Sequence, residues 1–360
     1  MLPRTDEARL LASPDTVDLQ YIFAISQEPV AIPRFRVTTE RYLALQVHTA
    51  NPVEFNRPAP EQVIGSMFTS AKYSRVEPSS AARYHASFVQ HAGSLESAAY
   101  YLAVQPYRGL LEVLANNTAL KLPGWIVQNP SKRRVLNHLQ LRSVTGHQTP
   151  PATQDYFNTV SDELPPEAVE LLEKGILERG FLLPCAFCSF KSWYAADSVG
   201  QDFRCTRCSK VQIYKTNPLW LYKLREVVFQ GFEDNMQVPL LALNFLRRSS
   251  VHHFEWVPDS DIYEGGSRED LHRNVDLLCI CDGMLYVGEA KSNDAIDENQ
   301  FAFYRNICER VEVDGIVFAT AQEEWASSTL ARIADLRDRF TGNVLTLTSA
   351  ELYPDVVVSA

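Results

Sequence analysis

Read only for the spacing of its apolar residues, the chain changes character near residue 250. In the N-terminal part, FRVTTERYLALQVHTA (35–50) alternates like strands, whereas AARYHASFVQHAGSLESAAYYLAV (81–104) has helical spacing. EAVELLEKGILERG (167–180) predicts a helix entered through a Pro-Pro pair and closed by Gly180 as its C-cap. Residues 218–248 predict two helices broken between Gly231 and Pro239. Three strands then follow in HHFEWVP, NVDLLCIC and MLYVGEAK. After them come a helix (DENQFAFYRNICERV), a strand (DGIVFAT), a helix over 323–340 and a last strand, NVLTLT. This order predicts an α/β fold, a mixed sheet with helices on both faces.

Length and composition set the outer limits. At 360 residues, 46% hydrophobic and 22% charged, the chain reads as soluble and globular, with about two or three domains. No apolar run is long enough for a membrane span, and the N-terminus mixes charges from the start, so the expected compartment is the cytoplasm. SVTGHQTPPATQD (143–155) is the candidate linker. The expected parts are an N-terminal α+β module over 1–150, a metal-binding segment over 180–215 and a C-terminal domain over 216–360.

A net charge of −10 argues against coating nucleic acid by bulk attraction. One acid-free stretch, 121–150, carries Lys121, Lys132, Arg133, Arg134 and Arg142. It reads either as a solvated face or as a phosphate track.

Cysteines change the picture first. Cys185 and Cys188, then Cys205 and Cys208, form two C-x2-C pairs separated by sixteen residues. Four thiolates at that spacing predict a closed, tetrahedral, structural zinc site, a zinc ribbon with no open position for catalysis. Cys279, Cys281 and Cys308 lie in apolar patterns and read as small buried hydrophobes. Phe187, Phe190, Trp193, Tyr194 and Phe203 alternate with Lys191, Arg204, Arg207 and Lys210. They form either the small core such a segment needs or a surface that stacks bases.

Charges in the strand region change it again. Asp276 interrupts an apolar run, and Glu289-Ala290-Lys291 ends another across a turn at Asp282-Gly283. Glu289 and Lys291, two apart, share a strand face. Two carboxylates at a sheet edge suit Mg²⁺ or Mn²⁺, and a neighbouring lysine suits a developing oxyanion. The plainer alternative is an ion pair on a strand. Asp259 and Asp261 read as loop caps, Asp282 as a turn residue, and His252 and His253 as the exposed start of a strand.

In these motifs the chain resembles the PD-(D/E)xK, or restriction-endonuclease-like, nucleases. Asp276 matches the acid of the second strand, and Glu289 and Lys291 match E-x-K of the third. Gln300 and Tyr304 match the Q-x-x-x-Y of the RecB-type branch, where they support the site. The resemblance covers 218–320 and implies a catalytic set of Asp276, Glu289, Lys291, Gln300 and Tyr304. It also implies Mg²⁺ or Mn²⁺ held by Asp276, Glu289 and the Ala290 carbonyl, with a further helix acid, Glu226 or else Glu233. The implied function is hydrolysis of DNA, with RNA left open, in a restriction or anti-phage system. The N-terminal module would then bind a protein partner, and the chain could form a homo-oligomer. An inactive nucleic-acid-binding scaffold and a repair- or transposition-associated nuclease are the alternatives.

Overall fold

The computed structural model describes residues 7–9, 34–37, 43–46, 59–115, 135–147, 164–213, 220–264 and 272–353. Four cations of the acid-free stretch (Lys121, Lys132, Arg133 and Arg134) and residues 148–155 of the expected linker lie outside them. The described residues form a mixed α/β protein with several sheets. Two compact units emerge, Met1–His85 with Val238–Pro354, and Ala86–Gln237 with Asp355–Ala360. This division cuts across the boundaries expected at 150 and 216.

The first unit contains α1 (Pro60–Ser70), β1 (Arg75–Pro78), nearly all of α2 (Gln237–Ser249), β2 (Phe254–Val257), β3 (Ser260–Tyr263), β4 (His272–Val275), β5 (Leu277–Cys281), β6 (Met284–Lys291), α3 (Glu298–Arg310), β7 (Gly315–Thr320), α4 (Ser327–Arg339) and β8 (Asn343–Leu347). Its main sheet has the order β2-β5-β6-β7-β8. The β2–β5 and β5–β6 pairs are antiparallel, and the β6–β7 and β7–β8 pairs are parallel, joined through α3 and α4. A smaller antiparallel sheet has the order β4-β3-β1. Arg34–Val37 and Leu43–Gln46, which fall at the stretch read as alternating, pair as strands together with Glu7–Arg9.

Every residue of β5 is buried, as expected of a strand covered on both faces. Leu278, Ile280, Val287, Ile316 and Phe318 share one core with Tyr304 and Ile307 of α3 and with Val63, Ile64 and Phe68 of α1. A helix near residue 65 therefore completes the core of a sheet built from residues beyond 250. The β5–β6 turn is the Asp282-Gly283 pair, with φ of 50° and 83°, the positive values a tight two-residue hairpin needs.

Three expectations need correction. The stretch 218–248 is not helical throughout: strand Leu221–Leu224 precedes its two helices, Glu226–Glu233 and Gln237–Ser249. NVDLLCIC is two strands, not one: β4 pairs into the small sheet and β5 into the large one, and Asp276 is the bend between them. The helix expected over 167–180 spans only Pro166–Glu173. Gly175, at φ 67°, closes it, with Gly175 N–H bonding the Leu172 carbonyl and Ile176 N–H that of Leu171. The remainder joins strand Leu177–Pro184, which pairs with Lys191–Ala195 and Leu221–Leu224 in the second unit. Among the described residues no helix is long and apolar enough to cross a membrane.

Candidate functional site

Two sites gather chemically capable side chains, one in each unit. In the second unit the four expected cysteines converge, with their sulfurs all within 4.8 Å of one another. Cys185 Sγ lies 3.6 Å from Cys208 Sγ, and Cys188 Sγ lies 3.7 Å from Cys205 Sγ. A tetrahedron with about 2.3 Å zinc–sulfur bonds has edges of about 3.8 Å, so the spacing fits zinc.

Both halves are built alike. Cys185 N–H donates to the Phe190 carbonyl and Ser189 N–H to that of Cys185; Cys205, Lys210 and Ser209 repeat the pattern. Ser189 and Ser209 adopt φ of 58° and 59°. Phe187 N–H points at Cys185 Sγ, and Arg207 and Cys208 N–H at Cys205 Sγ. Burial raises the Cys185 thiol, but backbone N–H groups of Cys188 and Phe187 outweigh it and bring it down to about 6. Cys188 goes the other way: against the Phe190 N–H, which lowers it, burial and the hydrogen bonds of the other three cysteines push its thiol up to about 11, so four thiolates together need a cation. Aromatics divide between the two readings: Tyr194 and Phe203 pack with Phe181 in a small core, while Phe187 is 58% exposed, with Lys210 Nζ 4.5 Å above its ring.

In the first unit Asp276, Glu289, Lys291, Gln300 and Tyr304 come together where β5 begins and β6 runs on past it. The antiparallel ladder stops at the Leu277–Gly288 pair, while β6 continues against β7 to the Lys291–Thr320 pair. At the break Asp276 replaces backbone with side chain, its Oδ2 accepting the Ala290 N–H at 2.8 Å. Glu289, 3% exposed, lies under α3. Gln300 Nε2 donates to its Oε1 at 2.6 Å, and Tyr304 Oη to its Oε2 at 2.8 Å. Lys291 Nζ pairs with the same Oε1. The four-residue spacing of Gln300 and Tyr304 puts both on the helix face over β6, as expected. A cleft of about 380 Å³ opens here, lined by Arg273, Asn274, Glu289, Lys291, Asp297 and Gln300 among others.

Electrostatics at this cleft are unfavourable for its own acids. Burial, and next the neighbouring charge of Glu289, push the Asp276 carboxyl well above the usual range against the Ala290 N–H. Burial also raises Glu289, against the pull of Lys291 and Tyr304. For Lys291 burial acts downward, but the Glu289 carboxylate outweighs it, so the ammonium is held above its ordinary value. Tyr304 is raised by burial and then by Glu289.

The donor set fits a hard cation. Asp276 Oδ1 has no hydrogen-bond partner among the described residues, and Glu289 offers two oxygens to three donors, leaving acceptor capacity. Among the described residues, however, no three carboxylate or imidazole groups lie within 4.8 Å of one another.

Other expected residues fall elsewhere. Glu226 and Glu233 are exposed at the two ends of helix Glu226–Glu233, in the second unit, where Glu226 Oε1 accepts from Gln230. Asp282 does more than turn the chain: its carboxylate accepts the N–H groups of Val251, His252 and His253 at 2.8–2.9 Å. Asp259, expected as a loop cap, is a buried carboxylate whose charge raises both Asp276 and Glu289. It accepts from Asn274 Nδ2, which also reaches Asp261 Oδ1 at 3.3 Å. No spacing in the sequence marks this group.

No family description matches the chain, and no curated protein is detectably similar. Among solved structures, the crystal structure of protein VC1899 from Vibrio cholerae is similar at 11% identity and a TM-score of 0.37. The match covers 89% of this chain and 66% of that one, just under two thirds.

Proposed function

We propose that the chain is a divalent-metal-dependent nuclease of the PD-(D/E)xK, restriction-endonuclease-like type, hydrolysing DNA phosphodiester bonds. The observation that carries this reading is the buried Glu289, gripped by Lys291, Gln300 and Tyr304 and set beside Asp276 at an open cleft. Two carboxylates held where burial opposes their charge call for a cation, and Lys291 alone does not neutralise both. Asp276, Glu289 and the Ala290 carbonyl would hold Mg²⁺ or Mn²⁺. The bound ion would supply Lewis acidity at the phosphate and an acidified water.

The chain's own residues supply the rest. Glu289 holds the Lys291 ammonium above its ordinary value, which suits Lys291 to act as a cation on the attacking water or the developing phosphate charge. Tyr304 and Gln300 fix the Glu289 carboxylate. Arg273, lining the same cleft, offers a guanidinium to the nucleic-acid backbone. The four-cysteine site would hold a structural Zn²⁺. The setting implied by the resemblance is a restriction or anti-phage system, with a protein partner on the N-terminal residues.

A second reading, an inactive nucleic-acid-binding scaffold, is favoured by one observation: three donors already occupy the Glu289 oxygens. Plasmid DNA, single-stranded DNA and RNA incubated with Mg²⁺, Mn²⁺ or EDTA separate the two. Cleavage of DNA that EDTA abolishes supports the nuclease. Binding without cleavage of any substrate in either metal supports the scaffold.

A further inference from the structure

The nuclease reading leaves Asn274 without a role, although it lines the cleft with Glu289 and Lys291. Its surroundings fix its amide. Asn274 pairs across the β3–β4 ladder with Asp261, and its Nδ2 donates to Asp261 Oδ1 and, more closely, to Asp259 Oδ1. Carboxylates only accept, so they select the nitrogen end of the amide. Both N–H bonds of Nδ2 are thereby spent, and Oδ1 has no partner among the described residues.

Asp259 is 7% exposed and shares the electrostatic environment of Asp276, Glu289 and Tyr304. A third buried acid beside two others is costly unless it has a task. Orienting Asn274 is a task that its hydrogen bond shows directly. Asn274 and Asp276 are two positions apart around the strand bend, and Asp276 has an unspent oxygen of its own. An amide oxygen and a carboxylate oxygen are both hard donors of the kind Mg²⁺ and Mn²⁺ select.

We infer that Asn274 Oδ1 is a neutral oxygen ligand for the cation held by Asp276 and Glu289, and that Asp259 is the positioning residue that keeps this oxygen turned to the cleft. The inference rests on the nuclease reading for the cation itself. It adds a ligand from β4, upstream of the Asp276 motif, and explains why an asparagine and two aspartates crowd the β3–β4 ladder.

The test is Mn²⁺ binding to the zinc-loaded full chain, followed by calorimetry and by the electron paramagnetic signal of free Mn²⁺, with melting curves alongside. Asn274→Ala is expected to weaken Mn²⁺ about tenfold or more. Asn274→Asp is expected to lower the melting temperature without metal, because a third carboxylate then faces Asp259 and Asp261. The same change is expected to tighten Mn²⁺ severalfold, through added ligand charge. A purely structural asparagine would not give these opposite signs. Asp259→Asn, which lets the Asn274 amide sit either way round, is expected to weaken Mn²⁺ by a few fold while leaving Zn²⁺ content unchanged. Mn²⁺ binding that disappears in Asp276→Asn yet is unchanged in both Asn274 variants overturns the Asn274 assignment and leaves the nuclease reading standing. Absence of Mn²⁺ binding in the wild-type chain overturns both.

Discussion

The two candidate sites differ in what their donors have left to give. Around the four cysteines every sulfur faces the other three, and backbone N–H groups also point at Cys185 and Cys205. Four sulfurs in this arrangement complete a tetrahedral set, as in structural zinc sites. Around Asp276 and Glu289 acceptor capacity is left over: Asp276 Oδ1 is unspent, burial opposes both charges, and a lysine and an arginine line the cleft. The first arrangement stores its free energy in the fold. At the second the fold opposes the charges it holds, an arrangement that sites of binding and reaction share.

The largest expected effect breaks the closed site. Metal analysis should find about one zinc per chain, and a zinc site of this type contributes apparent binding energy of about 10–16 kcal/mol. Cys185→Ser with Cys205→Ser is therefore expected to abolish cooperative melting of the segment between Leu177 and Ile213, followed by protease protection.

The open site should respond in the opposite way. Glu289→Gln is expected to lower cleavage by about 10²-fold or more while leaving the melting temperature unchanged or slightly raised, because it removes a charge that burial disfavours. Activity and calorimetry on the same preparation check it.

Acidity sharpens the contrast further. Asp276 and Glu289 have raised pKa values, so their contribution to stability is present below the ordinary carboxylate range and lost as pH rises through the folded values. Glu170, in the second unit, is the reverse case. The hydroxyls of Tyr101 and Tyr107 hold its carboxyl below the usual value, so its contribution is lost as pH falls. Without divalent metal, Asp276→Asn is expected to flatten the stability loss as pH rises out of the ordinary carboxylate range, and Glu170→Gln the loss on the acid side. Melting curves from about pH 4 to about pH 9 check both.

The smallest effect is local. Tyr304→Phe leaves the Gly288 carbonyl and Glu289 Oε2 without their hydroxyl, at a cost of about 1–3 kcal/mol measured by denaturant unfolding.

Much of this was legible along the chain because its cause is local. β6 and the helix after it follow from periodicity, and the shared face of Gln300 and Tyr304 follows from a four-residue spacing; that this face meets Glu289 was implied by the resemblance. Each C-x2-C pair is local for the same reason, since each closes a tight turn with its own backbone bonds. Long-range pairing decided what was missed. The helix that begins at Pro166 stops at Glu173, short of Gly180, because Leu177–Pro184 is claimed by strands Lys191–Ala195 and Leu221–Leu224. Asp276 is a bend because β1 and β3 recruit β4 into a second sheet. The burial of Asp259 depends on that sheet as well, and no spacing near residue 259 records it.

Hydrolysis itself is the central claim, and cleavage of DNA by the zinc-loaded chain in Mg²⁺, compared with Lys291→Ala and Glu289→Ala, tests it most directly. Cutting by the wild-type chain and none by either variant is expected, with zinc content unchanged in all three. Equal cutting by the variants, or none by the wild type in any metal, would contradict it.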